Sequence, residues 1–324
     1  IAKATGKPIQ LVWTREDDIQ QGPFRPASLM RIKAGVDNDG NLIAWDAARA
    51  GADISPDTFR SLLPALYSWM GDGMIEGVAN LSEWYFEKFA TDESSTEGLF
   101  EDYDHPNTRV THMTVDHELP MTFWRAVGHS YTAFAKESMI DEIAEAAGMD
   151  EVAFRLQNTQ NTPRLNNVIR VAGEHMAKMN PPEGHHLGFA AHHSFYTDVA
   201  EIAEVSVENG KIRVHKVTCV LDCGQAVNPD IVRAQMEGGV VYGLTAALYG
   251  GLNLERGAIK ESNFHDYPML RMNESPEIEV VIIDNGTKPT GVGEPGLPPI
   301  APAVANAVYK ATGQRLRSLP LQLT

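Results

Sequence analysis

Cysteine is almost missing from this sequence: among 324 residues only Cys219 and Cys223 occur. Two thiols fall short of the set that holds an iron–sulfur cluster and give no disulfide framework. They are expected as half-buried strand thiols. Long apolar runs are missing too. No stretch approaches the ~18 residues of a membrane-spanning helix. Positive charge is scarce, with 27 Lys and Arg against 43 Asp and Glu and a formal net charge of -16. A nucleic-acid surface needs clustered Lys and Arg, so no nucleic-acid partner is expected. The start lacks an initiator Met and a basic-then-apolar signal pattern. Residues 1–8 read instead as a helix tail closed by Gly6. The expectation is a chain that begins inside a fold: a fragment, a cleavage product or a separate subunit.

What is present suits an ordinary globular protein, 43% hydrophobic and 22% charged, with core enough for one large domain or two ordinary ones. Residues 8–14 read as a strand ending in Arg15-Glu16-Asp17-Asp18. Residues 29–34 and 42–50 form a hairpin across Asp39-Gly40. Residues 58–86 are apolar and helical in pattern, with Trp69, Trp84 and Tyr85 expected in the core. Residues 87–107 hold Glu87, Asp92, Glu93, Glu97, Glu101, Asp102 and Asp104 against Lys88. They lack apolar periodicity and are expected as an exposed acidic loop, solvated or docking a partner. The spacing predicts a helix over 133–147 with Met139, Ile140, Ile143 and Ala144 inward and Glu137, Asp141, Glu142 and Glu145 elsewhere. Gly148 ends it and Asp150 caps the next. Residues 187–191, 200–207 and 212–221 read as strands, 231–247 as a helix, 277–283 as a strand, and 300–311 as a helix closed by Gly313. No internal repeat is present. Hairpins mixed with separate helices argue for an α+β fold, with one subdomain over 1–180 and a second over 181–324.

Chemistry concentrates in three stretches. Residues 286–299 carry Gly286, Gly291, Gly293 and Gly296 among Pro289, Pro295, Pro298 and Pro299, with one carboxylate, Glu294. Glycine lets backbone approach a ligand and proline stiffens the rest, so Glu294 is placed as a general base would be. The same composition also describes a plain surface turn. The second stretch runs from Asp222-Cys223-Gly224 through Val227-Asn228-Pro229 to Gln235-Met236-Glu237-Gly238-Gly239. It is a strand–turn–helix unit that offers backbone N–H groups to an anion. The third is Trp124-Arg125-Ala126-Val127-Gly128-His129-Ser130 at a helix entrance, where Arg125 could hold a phosphate or stand on the surface. His185-His186 and His192-His193 fit no common zinc spacing, and no metal ligand is assigned.

Together these stretches resemble the molybdopterin-binding subunit of the xanthine dehydrogenase and aldehyde oxidase superfamily. The branch is that of the isoquinoline 1-oxidoreductase β subunit and membrane-associated aldehyde dehydrogenases. Leu11-Val12-Trp13-Thr14-Arg15-Glu16-Asp17-Asp18, Phe24-Arg25-Pro26-Ala27, Glu137-Ser138-Met139-Ile140-Asp141-Glu142, Asn263-Phe264-His265-Asp266-Tyr267 and Gly291-Val292-Gly293-Glu294-Pro295-Gly296 complete the match. The resemblance implies a molybdenum-bound molybdopterin cytosine dinucleotide whose dithiolene carries the metal, so no protein ligand to molybdenum is expected. It implies that Glu294 takes a proton at the cofactor while an aldehyde or N-heteroaromatic carbon is oxidised with oxygen from water. Electrons would leave through [2Fe-2S] clusters on a small partner subunit and often a cytochrome c. Arg125, Gly128, Gln235, Gly239 and Gly293 would hold the cofactor or shape its loop, with His193 and Ser194 nearby. Phe24 and Arg25 would line the substrate pocket; purine oxidisers carry arginine where Phe24 stands, which argues against purines. The family's early Gly-Gln-Gly and Phe-Gly-Gly cofactor motifs are absent, so an N-terminal molybdopterin-binding polypeptide is an expected partner and the chain alone should not turn over. The branch implies a periplasmic place, membrane-associated through a partner. A non-catalytic assembly module derived from the same family is the alternative.

Overall fold

In the computed structural model, which describes residues 1–115 and 119–323, the chain opens with one helical turn, α1 (Ala2–Thr5), closed by Gly6 at φ 63°. Residues 8–14 form no strand; they are exposed and unpaired. Thr14 instead caps α2 (Arg15–Gln21) in a reciprocal box with Asp17. The run Thr-Arg-Glu-Asp is thus a helix start, not a strand end.

The expected hairpin follows, with β1 (Ser28–Val36) antiparallel to β2 (Leu42–Gly51). The Asp37 carboxylate accepts the N–H groups of Asp39 and Asn41, and Gly40 takes φ 82°. Helices α3 (Ser55–Leu66) and α4 (Asp72–Phe89) come next, then β3 (Asn107–Thr114), parallel to β2. Helix α5 (His129–Ala146) packs Ile140, Ile143 and Ala144 against Leu42, Trp45 and Ala47 of this sheet. Asp150 caps α6 (Glu151–Gln157) by accepting the N–H groups of Val152 and Ala153.

Helix α7 (Pro163–Met176) leads into a second sheet of four strands. β4 (His185–Ser194), β5 (Thr197–Glu208) and β6 (Lys211–Asp222) run antiparallel in order. After α8 (Pro229–Leu248) and the small hairpin of β7 (Leu254–Glu255) and β8 (Ala258–Ile259), β9 (Glu277–Ile283) joins β6 in parallel. Leu165, Val168, Ile169 and Ala172 of α7 cover one face of this sheet. α8 and α9 (Ile300–Thr312) cover the other. Burial on both faces explains the nearly continuous apolar run along β5 and β6.

Four expectations need correction. Cys219 and Cys223 are fully buried, not half-buried, between β6 and α8. Trp69, Trp84 and Tyr85 are exposed, because α4 packs chiefly on α3. Glu137 and Asp141 point inward from α5: Glu137 receives Arg155 and the Tyr103 hydroxyl, and Asp141 receives Arg315. The acidic stretch is no solvated loop. Asp92 is buried and accepts the N–H groups of Ile54 and Ser55, capping α3, while Leu99 joins the core and Asp102 pairs with buried Lys136. Glu87 falls inside α4, and its side chain lies outside the described residues.

Candidate active site

The loop over 286–299 is clamped along its length. Its Thr290 N–H donates to the Cys223 carbonyl at 3.0 Å and its Gly291 N–H to the Phe195 carbonyl at 3.2 Å. The Gly291 carbonyl accepts the Thr197 hydroxyl at 2.7 Å. Beneath it runs α8. A Cβ at Gly239 would sit 2.9 Å from the Gly296 carbonyl carbon, and one at Gly296 would sit 3.0 Å from the Met236 sulfur. Glycine at both positions therefore sets how closely helix and loop approach.

Glu294 emerges half-buried from this clamp, and its Oε1 accepts the Ala126 N–H at 2.9 Å. Next to it, Arg125 donates through Nε to the Gly293 carbonyl at 2.9 Å, and through Nη2 to that carbonyl and to the backbone and side-chain oxygens of Gln235. Arg125, Gln235, Gly293 and Glu294 thus form one network drawn from three segments. Gly128 stands at the start of α5, where a Cβ would strike the Ser94 carbonyl oxygen at 2.3 Å. Backbone strain flanks the loop on both sides. Ala126 and Val127 have φ of 71° and 47°, Phe195 and Tyr196 φ of 51° and 62°. Such conformations cost on the order of 1 kcal/mol or more each and persist where surroundings enforce them.

An aromatic wall adjoins the network. Trp124 stacks on Tyr242 with centroids 4.8 Å apart, and the Arg25 guanidinium lies over Trp124 at 4.5 Å. Phe24 is laced to the segment just before Trp124 by an isolated bridge, its N–H donating to the Pro120 carbonyl and its own carbonyl accepting from the Thr122 N–H. Burial lowers the Arg25 pKa, and Tyr267 opposes that. Arg25 also lines a cavity of about 410 Å³ between β1, α5 and the segment after α9. Arg125, Gln235 and Glu294 do not line it, so this cavity lies apart from the Gly-Glu-Pro loop.

His193 and Ser194 lie one step away. The His193 ring meets Asp198 at 2.8 Å, a bond that raises its pKa, and Asp198 lies 3.6 Å from Arg164. The Ser194 hydroxyl is buried without a partner. Their strand end reaches the loop through the Phe195 carbonyl, not through Arg125. The histidine pairs considered for zinc are split between two clusters. His185 stacks on His215 and bonds Glu204, whereas His192 bonds His129.

Residues 121–276 match the molybdopterin cofactor-binding domain. The chain is 34% identical to the isoquinoline 1-oxidoreductase subunit beta of Brevundimonas diminuta, across 99% of this chain and 39% of that protein. It belongs to the molybdopterin-binding family of xanthine dehydrogenases and aldehyde oxidoreductases. It is also 28% identical to a membrane-bound aldehyde dehydrogenase (pyrroloquinoline-quinone) of Gluconacetobacter polyoxogenes, across 98% of this chain and 42% of that protein. The chain therefore spans about two fifths of these relatives, matching the C-terminal part of the family's large subunits. Its fold is that of aldehyde oxidoreductase from Desulfovibrio gigas (TM-score 0.74, 15% identity, 98% of this chain and 51% of that one). It is also that of quinoline 2-oxidoreductase from Pseudomonas putida 86 (TM-score 0.75, 10% identity, 98% of this chain and 64% of that one).

The donor set around Gly293 fits the family's cofactor. Arg125 keeps Nη1 without a hydrogen bond among the described residues, the Gln235 amide nitrogen is likewise unused, and the nearest neighbour of a Cβ at Gly238 would be Arg125 Nη1 at 3.8 Å. Free planar donors beside open space suit a phosphate or the polar edge of a pterin. Sequence reasoning missed Tyr242, although it lies seven residues after Gln235 and so on the same face of α8.

Proposed function

We propose that this chain is the base-bearing part of a molybdenum hydroxylase large subunit that oxidises an aldehyde or N-heteroaromatic carbon with oxygen from water. Electrons then pass to [2Fe-2S] clusters on a partner subunit and, in this branch, to a cytochrome c. The observation that carries the reading is the Arg125–Gly293–Glu294–Gln235 network, in which one carboxylate is fixed beside unused donors. When bound, the molybdenum-pterin group, here read as the cytosine dinucleotide form, supplies the oxidising centre. Arg125 and Gln235 hold its polar groups, Gly128 lets the start of α5 close on Ser94, Gly239 lets α8 close on the loop, and the strand end with His193 and Ser194 supports the loop from the far side. Glu294 Oε1 is tied to the Ala126 N–H, which leaves Oε2 to take the proton. Trp124, Arg25 and Phe24 wall the substrate side; a guanidinium over an indole suits a flat, electron-poor ring or a carbonyl better than an extended chain. The rest of the cofactor site comes from the N-terminal molybdopterin-binding region. We place the assembly in the periplasm, attached to the membrane through a partner; no helix among the described residues is long and apolar enough to cross one.

In the complete enzyme, Glu294→Gln should retain molybdenum and pterin in full while turnover falls by roughly 10³-fold or more. Undiminished turnover in that variant overturns the assignment of the base. A purified complete complex free of molybdenum and pterin would favour the assembly module.

A further inference from the structure

The Gly-Glu-Pro loop is gripped at its N-terminal side by two pieces of backbone, the turn between β4 and β5 and the corner at the end of β6. The sheet register sets them side by side. Ser194 pairs with Thr197 across the turn, and Asp198 of β5 pairs with Asp222 of β6. Both pieces are awkward for a chain to hold unaided. Phe195 and Tyr196 of the turn have φ of 51° and 62°. At the corner Gly224 has φ 68°, and a Cβ there would fall 2.2 Å from the Lys288 carbonyl oxygen.

One side chain bonds to both. Arg164, the second residue of α7, follows Pro163 at the helix start and reaches the sheet edge from the face opposite α8. Its Nη1 donates to the Tyr196 carbonyl at 3.3 Å. Its Nη2 donates to the Asp222 carbonyl and to Asp222 Oδ1, each at 3.0 Å. Asp222 is nearly fully buried, and its carboxylate also accepts the Gly224 N–H at 2.9 Å and the Asn285 amide at 2.7 and 2.8 Å. Each carbonyl that Arg164 takes stands next in sequence to one that the loop takes. Beside Tyr196, the Phe195 carbonyl accepts the Gly291 N–H; beside Asp222, the Cys223 carbonyl accepts the Thr290 N–H. The loop that ends in Glu294 therefore hangs from two carbonyls whose neighbours a single guanidinium holds.

We propose that Arg164 is a positioning residue of the site: its guanidinium locks the β4–β5 turn to the end of β6 and so fixes the loop that carries Glu294. Its consequence for turnover rests on Glu294 acting as the base. A planar guanidinium offers several donors at fixed angles, so separate nitrogens can serve separate carbonyls. A lysine at this position would keep the positive charge beside Asp222 and Asp198, which lie 3.0 and 3.6 Å from Arg164. It would offer one nitrogen in place of the fork and would not hold both backbone pieces in the same geometry.

The test uses the complete enzyme as wild type, Arg164→Ala, Arg164→Lys and Arg170→Ala, the last losing an exposed pair with Glu174 on the same helix. Amide hydrogen exchange over residues 287–296 and 195–197 should speed up in both Arg164 variants and stay at the wild-type rate in Arg170→Ala. Turnover per bound molybdenum should fall roughly 10-fold in Arg164→Ala, the scale of a sub-ångström misplacement of the base. KM should stay within about twofold, because the lost geometry matters chiefly in the transition state. Should Arg164→Ala fail to assemble, Arg164→Lys carries the same comparison. Wild-type exchange in the Arg164 variants overturns the lock. Faster exchange with unchanged turnover per molybdenum overturns the positioning role. Arg164→Lys matching wild type in both readouts shows that charge alone suffices and overturns the bridge. Full turnover in Glu294→Gln, by contrast, overturns the base and leaves the exchange result, and so the lock, standing.

Discussion

Two adjacent glycines on α8 allow a controlled measurement of how tightly the Gly-Glu-Pro loop is held. An alanine at Gly239 places its Cβ 2.9 Å from the Gly296 carbonyl carbon, 3.1 Å from its oxygen and 3.2 Å from its Cα, all backbone atoms. An alanine at Gly238 meets only the end of Arg125, at 3.8 Å, an ordinary contact. Both substitutions gain the same helix propensity, about 1 kcal/mol. The difference between them therefore isolates the cost of overpacking, about 1–3 kcal/mol. Relief requires the loop to move off α8 by a few tenths of an ångström, and Glu294 lies two residues before Gly296. A misplacement of about 1 Å can lower a rate by roughly 10²-fold, so a shift of this size should lower turnover by about 10-fold. Thermal unfolding of the two variants in the complete enzyme, with molybdenum content and turnover, gives all three readouts. Gly239→Ala as stable and as active as Gly238→Ala would refute the close approach of helix and loop.

Other perturbations test the supports of the site. Glu137→Leu leaves the fully buried Arg155 guanidinium with only Asp141, at 4.0 Å, as a counter-charge, and removes the partner of the Tyr103 hydroxyl and the Ala191 N–H. It should destabilise by about 3–5 kcal/mol, and the double variant with Arg155→Leu should recover much of this in denaturant unfolding; a double variant as unstable as the sum of the singles would contradict the pairing. His129 is neutral when folded, with its pKa lowered from 6.5 to about 4. The unfolded chain binds the extra proton between those values, so His129 contributes fully above pH 6.5 and its contribution is lost as pH falls toward 4. The loss amounts to roughly 3 kcal/mol. His129→Phe should flatten the pH dependence of the unfolding midpoint across that window, and an unchanged slope would contradict a neutral buried imidazole.

Much of this architecture was legible because its signals are local. Asp39-Gly40 marked the first hairpin, Asp150 and Asn228 the helix starts, and Gly313 a helix end. The errors fall where a distant partner decides. Asp92 looks solvated until Ile54 and Ser55 present their N–H groups. Glu137 and Asp141 sit at polar positions of α5, yet Arg155 and Arg315 draw them inward. Residues 8–14 have a strand's composition, but no neighbouring strand accepts them, and the Thr14 cap takes the chain into α2. Charge alone does not reveal burial, because burial of a charge depends on a partner that sequence order does not disclose.

The same dependence on distant partners accounts for the site. No single segment fixes Glu294. Its N-terminal side is tied to the strained turn after β4 and to the end of β6. Its carboxylate is tied to the strained entry of α5, 168 residues away, and its C-terminal side rests on glycines of α8. Strained backbone at Ala126, Val127, Phe195 and Tyr196 persists because those long-range bonds over-determine it. Local rules therefore fail where the loop is held, and that is where a sequence under functional constraint is expected to break them. It follows that the loop's geometry, and with it the placement of the Glu294 carboxylate, depends on three separate parts of the chain being folded together. Substitutions in α8 that do not touch Glu294 should accordingly alter the chemistry before they unfold the protein.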